Sequence, residues 1–134
     1  LNIKTGELVF INAGHESILL FDENKNYEYI KSDMPPIGIV KYFTETMVKS
    51  NTINLKDKTF VVYTDGVTEG YLKNGAELGA EGVQDIINKM TDITPKTIVE
   101  GIENQLNWGA EKLRDDITCM AINIKNTELL KKNK

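Results

Sequence analysis

The chain has 134 residues, 40% of them hydrophobic and 27% charged, which is the length and composition of one folded domain. Its 16 basic and 20 acidic residues leave a formal net charge of −4, and this acidic balance argues against a nucleic-acid-binding protein. The single cysteine cannot form an internal disulfide, and no apolar run reaches the roughly 20 residues of a membrane span. We therefore expect a cytoplasmic domain without membrane contact in this segment.

The first half of the chain contains short apolar runs that favour β-strands. Residues 8–11 and 18–21 are separated by turn-forming residues, so these two runs are predicted to form a hairpin. A weaker strand is predicted at residues 27–30, and the prolines at 35 and 36 are expected to prevent regular pairing because neither has a backbone N–H. Residues 37–39 are predicted to be extended, and residues 43–53 to form a half-buried strand.

The second half begins with the strongest predicted strand, residues 59–64, whose continuous β-branched and aromatic side chains indicate a central position. Two helices follow, the second beginning with a Thr-Pro cap at residues 94–95. Their apolar faces are Val83, Ile86, Ile87 and Met90, then Ile98, Val99, Ile102 and Leu106. Residues 117–124 return to strand. Strands joined by short turns, then segregated helices, predict an α+β fold with antiparallel sheets.

Acidic residues stand at the ends of two predicted strands. Asp65 follows the strand at 59–64 and precedes Gly66, and Asp115 and Asp116 precede the last strand. If these strands are antiparallel neighbours, the carboxylates converge on one sheet edge. Carboxylate oxygens without His or Cys favour Mg²⁺ or Mn²⁺, and Gly66 is expected to leave room for an ion and its waters.

Both acidic positions also have an ordinary structural interpretation. Asp-Gly is a common hairpin-turn signal, and Asp115-Asp116 beside Arg114 is equally compatible with a solvated turn. From the spacing alone this structural interpretation is favoured, because short motifs often match by chance.

Four motifs occur in one order over nearly the whole chain, at residues 10–15 (FINAGH), 34–39 (MPPIGI), 62–69 (VYTDGVTE) and 114–118 (RDDIT). This series resembles the bacterial stage II sporulation protein E-like phosphatases. They are the sigma-factor-regulating branch of the metal-dependent (PPM, type 2C) Ser/Thr protein phosphatases. The resemblance implies an antiparallel β-sandwich flanked by helices. Residues 1–126 would be the C-terminal part of that domain, and residues 127–134 a polar, lysine-rich tail.

The resemblance also implies a chemistry and a site. In that family a dinuclear Mn²⁺ or Mg²⁺ site activates a water that attacks phosphoserine or phosphothreonine directly. Matched motif by motif, Asp65 and Asp115 are the implied catalytic metal ligands, and Asp116 is a less favoured ligand. Gly66 and Arg114 are expected to be supporting residues: Gly66 leaves room beside Asp65, and Arg114 either orients a carboxylate or contacts solvent, with phosphate binding the less favoured role. The implied partner is a phosphorylated protein substrate, such as an anti-anti-sigma-type regulator.

The chain departs from the family pattern at its start, because nothing before Asp22 matches the upstream Gly-Asp motif and its further aspartates. We therefore expect a domain incomplete at its N-terminus, inactive or nearly so by itself, and able to dimerise through an exposed sheet edge. The alternative function is a non-catalytic pseudophosphatase module that binds a partner without hydrolysing it. Aspartates in the upstream segment would discriminate between the two.

Four other features of the sequence have structural interpretations. His15, the only histidine, is expected to fix the turn after the first strand rather than act as a catalytic acid. Cys119 alternates with apolar residues on the last strand, as a buried structural thiol would, and Trp108 is expected to cap the core. Residues 71–82 are either a substrate-contacting flap or a plain connecting loop.

Overall fold

The computed structural model describes residues 1–107 and 115–124, so Trp108, Arg114 and the predicted tail lie outside the described residues. Among the described elements, most of the strands come first, the α-helices follow, and one strand ends the series. This segregation of strands and helices confirms the predicted α+β class. In chain order they are β1 (Glu7–Phe10), β2 (Ile18–Asp22), β3 (Tyr27–Ile30), a 3₁₀ turn (Glu45–Met47), β4 (Asn51–Asn54), β5 (Lys58–Tyr63), α1 (Asp65–Thr68), α2 (Gly79–Lys89), α3 (Pro95–Gln105) and β6 (Cys119–Asn123). Within this part of the chain, no helix has the length and apolar character needed to cross a membrane.

The strands form a two-stranded sheet, β1-β4, and a four-stranded sheet in the order β3-β2-β5-β6. The pairs β1-β4 and β2-β3 are antiparallel, with Leu8 opposite Ile53 and Leu19 opposite Tyr29. The interior position of β5 confirms the prediction that its apolar run is central. The described residues divide into two compact units, Leu1–Phe60 with residues 123–124, and residues 61–107 with 115–122.

The predicted hairpin between the first two strands is wrong, since β1 pairs with β4 and β2 pairs with β3. The segment after β1 is an irregular loop in which Asn12 accepts the His15 N–H at 2.9 Å and donates to the Glu16 carbonyl at 3.2 Å. The turn after β2 is tighter, because Asp22 Oδ1 accepts the N–H groups of Asn24 and Asn26 at 2.9 and 3.0 Å. Hairpin pairing follows the short, hydrogen-bonded turn.

The segment between the prolines and β4 also differs from its prediction. Residues 37–39 form a turn in which the Ile39 N–H bonds to the Pro36 carbonyl at 3.3 Å, and the strand predicted at 43–53 is reduced to β4. The side chains of Phe43, Met47 and Val48 are exposed. A half-buried strand needs a surface on which to bury alternate side chains, and this segment has none.

Each unit has its own buried apolar residues. In the first unit, β2 is buried from Ile18 to Phe21, as expected for a strand covered on both faces, and the rings of Phe10 and Phe60 pack edge to face at 5.5 Å. In the second unit, α2 buries Val83 and Ile87 of its predicted face, α3 buries Ile98 and Ile102, and Leu106 is buried directly after α3. The other members of the predicted faces, Ile86, Met90 and Val99, are half-buried.

The start of α3 confirms the predicted Thr-Pro cap. Thr94 Oγ1 accepts the Thr97 N–H at 3.1 Å, and the Thr94 N–H donates to Thr97 Oγ1 at 2.9 Å. Pro95 occupies the first helical position, where its missing N–H costs nothing. The reciprocal bonds make this a capping box.

Candidate functional site

The candidate site lies in the second unit, where β5 ends and β6 begins. The Thr64 N–H, directly after β5, donates to the Thr118 carbonyl, directly before β6, at 3.0 Å. The end of one strand therefore lies beside the start of its neighbour, so β5 and β6 run in opposite directions. This is the strand arrangement that the sequence analysis required for the two acidic segments to meet.

Asp65 is the first residue of α1, so the hairpin-turn interpretation of Asp65-Gly66 is wrong. The chain passes from β5 straight into one helical turn, in which the Val67 N–H bonds to the Thr64 carbonyl at 2.9 Å and the Glu69 N–H bonds to the Asp65 carbonyl at 2.7 Å. The Asp65 side chain is exposed, and its Oδ1 accepts the Gly66 N–H at 2.9 Å. The hydrogen bonds of this helical turn therefore fix the backbone position of Asp65.

Gly66 is buried against the backbone of the second acidic segment. A Cβ at this position would collide with the Asp116 carbonyl oxygen and lie 2.9 Å from its carbon and 3.3 Å from the Asp115 carbonyl oxygen. The open side of Gly66, predicted to admit an ion and its waters, is therefore filled by backbone. What Gly66 does instead is allow the two acidic segments to touch, because it has no Cβ.

Asp115 and Asp116 are both exposed, and Asp115 Oδ1 accepts the Asp116 N–H at 2.7 Å. Their segment is tied to Thr64, whose hydroxyl donates to the Asp116 carbonyl at 2.9 Å and accepts the Thr118 N–H at 3.0 Å. The sequence analysis singled out the acids and missed Thr64. A hydroxyl residue directly before Asp-Gly at a strand end is the signal that could have identified it.

The described residues offer the type of ligand that a hard divalent cation binds, but too few such ligands for a complete coordination shell. Asp65 and Asp115 offer carboxylate oxygens, the ligand type that Mg²⁺ and Mn²⁺ take, and each uses one oxygen for an N–H of the following residue. Within residues 1–107 and 115–124, no three His, Cys, Asp or Glu side chains are grouped so as to hold a metal ion. The described residues can therefore supply part of a coordination shell.

Two residues given structural roles differ from what was expected of them. His15 is exposed, and its loop is fixed mainly by Asn12, which is 3% exposed and bonded to the His15 N–H. Cys119 is half-buried rather than buried, and desolvation raises the pKa of its thiol to about 11. Residues 71–78 close on themselves through the bond from the Leu72 N–H to the Ala76 carbonyl at 2.8 Å. A substrate-contacting role for this loop stays a prediction.

Solved structures with the same fold are phosphatase domains. The SiaA-PP2C domain of Pseudomonas aeruginosa matches with a TM-score of 0.68 and 19% identity, over 90% of this chain and 47% of that one. The phosphatase domain of the cell fate determinant SpoIIE from Bacillus subtilis, presoaked with Mn, matches with a TM-score of 0.65 and 16% identity, over 93% of this chain and 53% of that one. The chain has the fold of a PP2C-type phosphatase domain and spans about half the length of these structures.

Sequence comparison identifies the family to which this chain belongs. The family model of stage II sporulation protein E (SpoIIE) matches residues 1–125, and the chain belongs to this family. Protein IcfG of Synechocystis sp. (strain ATCC 27184 / PCC 6803 / Kazusa) is 25% identical over an alignment of 129 residues, which covers 91% of this chain and 19% of IcfG.

Proposed function

We propose that this chain forms part of a metal-dependent phosphoserine/phosphothreonine protein phosphatase, with Asp65 and Asp115 as metal ligands. One observation carries the proposal: two exposed carboxylates from motifs far apart in sequence lie on backbone segments that are bonded to each other through Thr64. Membership of the SpoIIE family and the PP2C-type fold support it.

The chemistry of the residues present favours a cation between the two segments. Two carboxylates brought close together repel each other unless a positive charge lies between them, so their juxtaposition favours a cation. A bound Mn²⁺ or Mg²⁺ would supply Lewis acidity and an activated water for attack on a phosphoryl group. Asp116 is the less favoured ligand, because the motif match places the ligand of this segment at Asp115.

A complete dinuclear site needs more oxygen ligands than Asp65, Asp115 and Asp116 provide. The described residues contain no third ligand grouped with a pair of these acids. We therefore expect the chain by itself to hydrolyse phosphoesters very slowly or not at all, and to become active when joined to a segment that supplies further aspartates.

The substrate follows from the family resemblance. We propose a phosphorylated protein, such as an anti-anti-sigma-type regulator, within a bacterial sigma-factor, stress or sporulation signalling pathway in the cytoplasm. The shortage of ligands among the described residues favours a second candidate as well, a non-catalytic module of the same fold that binds a partner without hydrolysis.

A Mn²⁺ titration of the chain, with free Mn²⁺ followed by electron paramagnetic resonance, tests the metal ligands. Asp65→Asn and Asp115→Asn are each expected to weaken binding by at least roughly 10–100-fold, the loss known for residues that only support a metal ligand. Asp116→Asn is expected to weaken it less. Asp85→Asn is the matched control, because Asp85 is an exposed acid on α2 in the same unit.

Wild-type affinity in both Asp65→Asn and Asp115→Asn would contradict the proposed ligands. The second step assays hydrolysis of a phosphoserine peptide by the full-length protein in the presence of Mn²⁺. Turnover that is lost in Asp65→Asn supports the phosphatase. Mn²⁺ binding without turnover in the full-length protein would instead support the non-catalytic module.

Dimerisation of the chain through a sheet edge stays a prediction. Among the described strands, β1 has β4 as its one neighbour, and Val9 on β1 is 54% exposed. Sedimentation velocity of the chain is expected to show a concentration-dependent dimer that Val9→Lys weakens, because a lysine on an edge strand opposes edge-to-edge pairing. A monomer at all concentrations would contradict this prediction.

A further inference from the structure

We propose that Thr64 is a positioning residue, whose hydroxyl holds the Asp115–Thr118 segment in place and thereby sets the separation of the Asp65 and Asp115 carboxylates. This inference rests on the proposed function, because the consequence of that separation is metal affinity. Thr64 itself is not a ligand in the proposal, and its effect is transmitted through the backbone of the two segments that carry the ligands.

The hydroxyl of Thr64 joins two backbone groups of the opposite segment. It donates to the Asp116 carbonyl at 2.9 Å and accepts the Thr118 N–H at 3.0 Å, while the backbone N–H of Thr64 donates to the Thr118 carbonyl at 3.0 Å. Only a side chain that is both donor and acceptor can make the first two bonds. The backbone bond alone would hold Thr118 but leave Asp116 without this tether.

The two segments differ in how firmly each is held. On one side, Asp65 belongs to α1, and the buried Gly66 and Val67 anchor that turn. On the other side, Asp115, Asp116 and Thr118 are all exposed, so burial contributes little to their placement. Among the contacts of the described residues, the hydrogen bonds of Thr64 and the close contact at Gly66 are those that tie the Asp115–Thr118 segment to the strand end that carries Asp65.

These contacts affect metal affinity more than stability. Because the partners of the Thr64 hydroxyl lie in an exposed region, water can replace its hydrogen bonds when the hydroxyl is removed. Water does not restore the distance between two carboxylates. Residues that hold metal ligands without touching the metal typically change affinity about 10–100-fold when they are replaced.

Three variants of the 134-residue chain test the proposal. Thr64→Val removes the hydroxyl with little change of shape, and Thr64→Ser keeps it. Thr68→Val is the matched control, because the Thr68 hydroxyl donates to the Asp65 carbonyl at 3.1 Å within α1 and is not bonded to the opposite segment. Each variant is measured for Mn²⁺ affinity by electron paramagnetic resonance and for amide hydrogen exchange at Thr118 by NMR.

In Thr64→Val, the Thr118 amide is expected to exchange about tenfold faster and Mn²⁺ affinity to fall about tenfold or more. Thr64→Ser is expected to restore both measurements, and Thr68→Val to leave both unchanged. Faster exchange with wild-type Mn²⁺ affinity would overturn the positioning role, as would a loss of affinity that serine does not restore.

Failure of the proposed function gives a different result. If the wild-type chain binds no Mn²⁺, the proposed metal ligands are contradicted, and exchange at Thr118 alone decides the inference. Exchange that is unchanged in Thr64→Val then overturns it, whereas faster exchange that Thr64→Ser reverses supports the hold of Thr64 on the opposite segment.

Discussion

At two places in this molecule, segments that are far apart in the sequence are held together by contacts that we call joints. Each joint contains a glycine and a side-chain hydroxyl group. In the first joint, Ser32 Oγ accepts the Gly14 N–H at 2.7 Å and lies 2.8 Å from the carbonyl oxygens of Asn12 and Met34. In the second joint, the Thr64 hydroxyl bonds to the backbone of residues 116 and 118, and Gly66 lies against the same segment. Each unit therefore contains one contact in which a glycine lies beside a hydroxyl group that is hydrogen-bonded to the backbone.

The difference between the joints lies in the polar groups they leave to solvent. In the first joint, Asn12 is 3% exposed, and its amide is bonded to the His15 N–H and the Glu16 carbonyl. In the second joint, Asp65 and Asp115 are exposed, and each accepts the N–H of the next residue. A glycine-hydroxyl joint by itself therefore indicates a fold contact, and the acids of the proposed metal site, Asp65 and Asp115, distinguish the second joint.

The largest expected effect is on stability, in the first joint. Gly14→Ala places a Cβ into the Pro36 ring and 2.8 Å from the Pro36 nitrogen, at a φ of +76° that L-residues rarely adopt. We expect a loss of about 3 kcal/mol in the free energy of unfolding, measured with urea.

Gly75→Ala is the control for this variant, because Gly75 has a φ of +82° but open space around a Cβ. Its expected loss is about 1 kcal/mol, from backbone strain alone. Equal losses in the two variants would show that the Pro36 contact contributes nothing.

Gly66→Ala tests whether the second joint differs in function as well as in composition. The new Cβ would push against the Asp116 carbonyl, so we expect a loss of about 2 kcal/mol together with weaker Mn²⁺ binding by the folded protein. Gly14→Ala is expected to leave the Mn²⁺ affinity of the folded protein unchanged. Weakened binding in both glycine variants would break the distinction between the joints.

Removal of the Ser32 hydroxyl tests the first joint with a smaller expected loss of stability. Ser32→Ala leaves the Gly14 N–H without its partner, and we expect a loss of about 1 kcal/mol without an effect on Mn²⁺ affinity. Ser50→Ala is the control, because Ser50 is an exposed serine of the same unit. A stability loss no larger than that of the control would show that the Ser32 bonds contribute nothing.

The smallest expected effect concerns pH, on the strand that follows the second joint. Desolvation raises the pKa of the Cys119 thiol from 9.0 to about 11, so the folded chain retains this proton at a pH where the unfolded chain has lost it. This contribution to stability is complete below pH 9 and is lost as the pH rises toward 11.

Alkylation of Cys119 by iodoacetamide checks this prediction. The rate in the folded chain is expected to rise only near pH 11, whereas the urea-unfolded chain is the control and should react from about pH 9. Equal pH profiles for the folded and unfolded chains would contradict the prediction.

The sequence predicted element types well where the signal was local. The apolar spacing of α2 and α3, the Thr94 cap and the continuous apolar run of β5 all depend on residues within a few positions of one another. The choice of partner for β1 was wrong because strand pairing is decided by distant residues, and no pattern within residues 8–17 indicates β4. The strand predicted at 43–53 failed for the same reason, since burial of that segment depends on what packs against it.

In the candidate site, too, some features could be predicted from the local sequence and others depended on the tertiary structure. The sequence by itself determined which residues have the chemistry, the carboxylates of Asp65 and Asp115, and the strand ends at which they stand. Only the tertiary structure decided that Gly66 is filled by backbone and that Thr64 joins the two segments. Such contacts arise between residues distant in sequence, where packing and hydrogen-bond geometry are set by the folded chain rather than by local pattern.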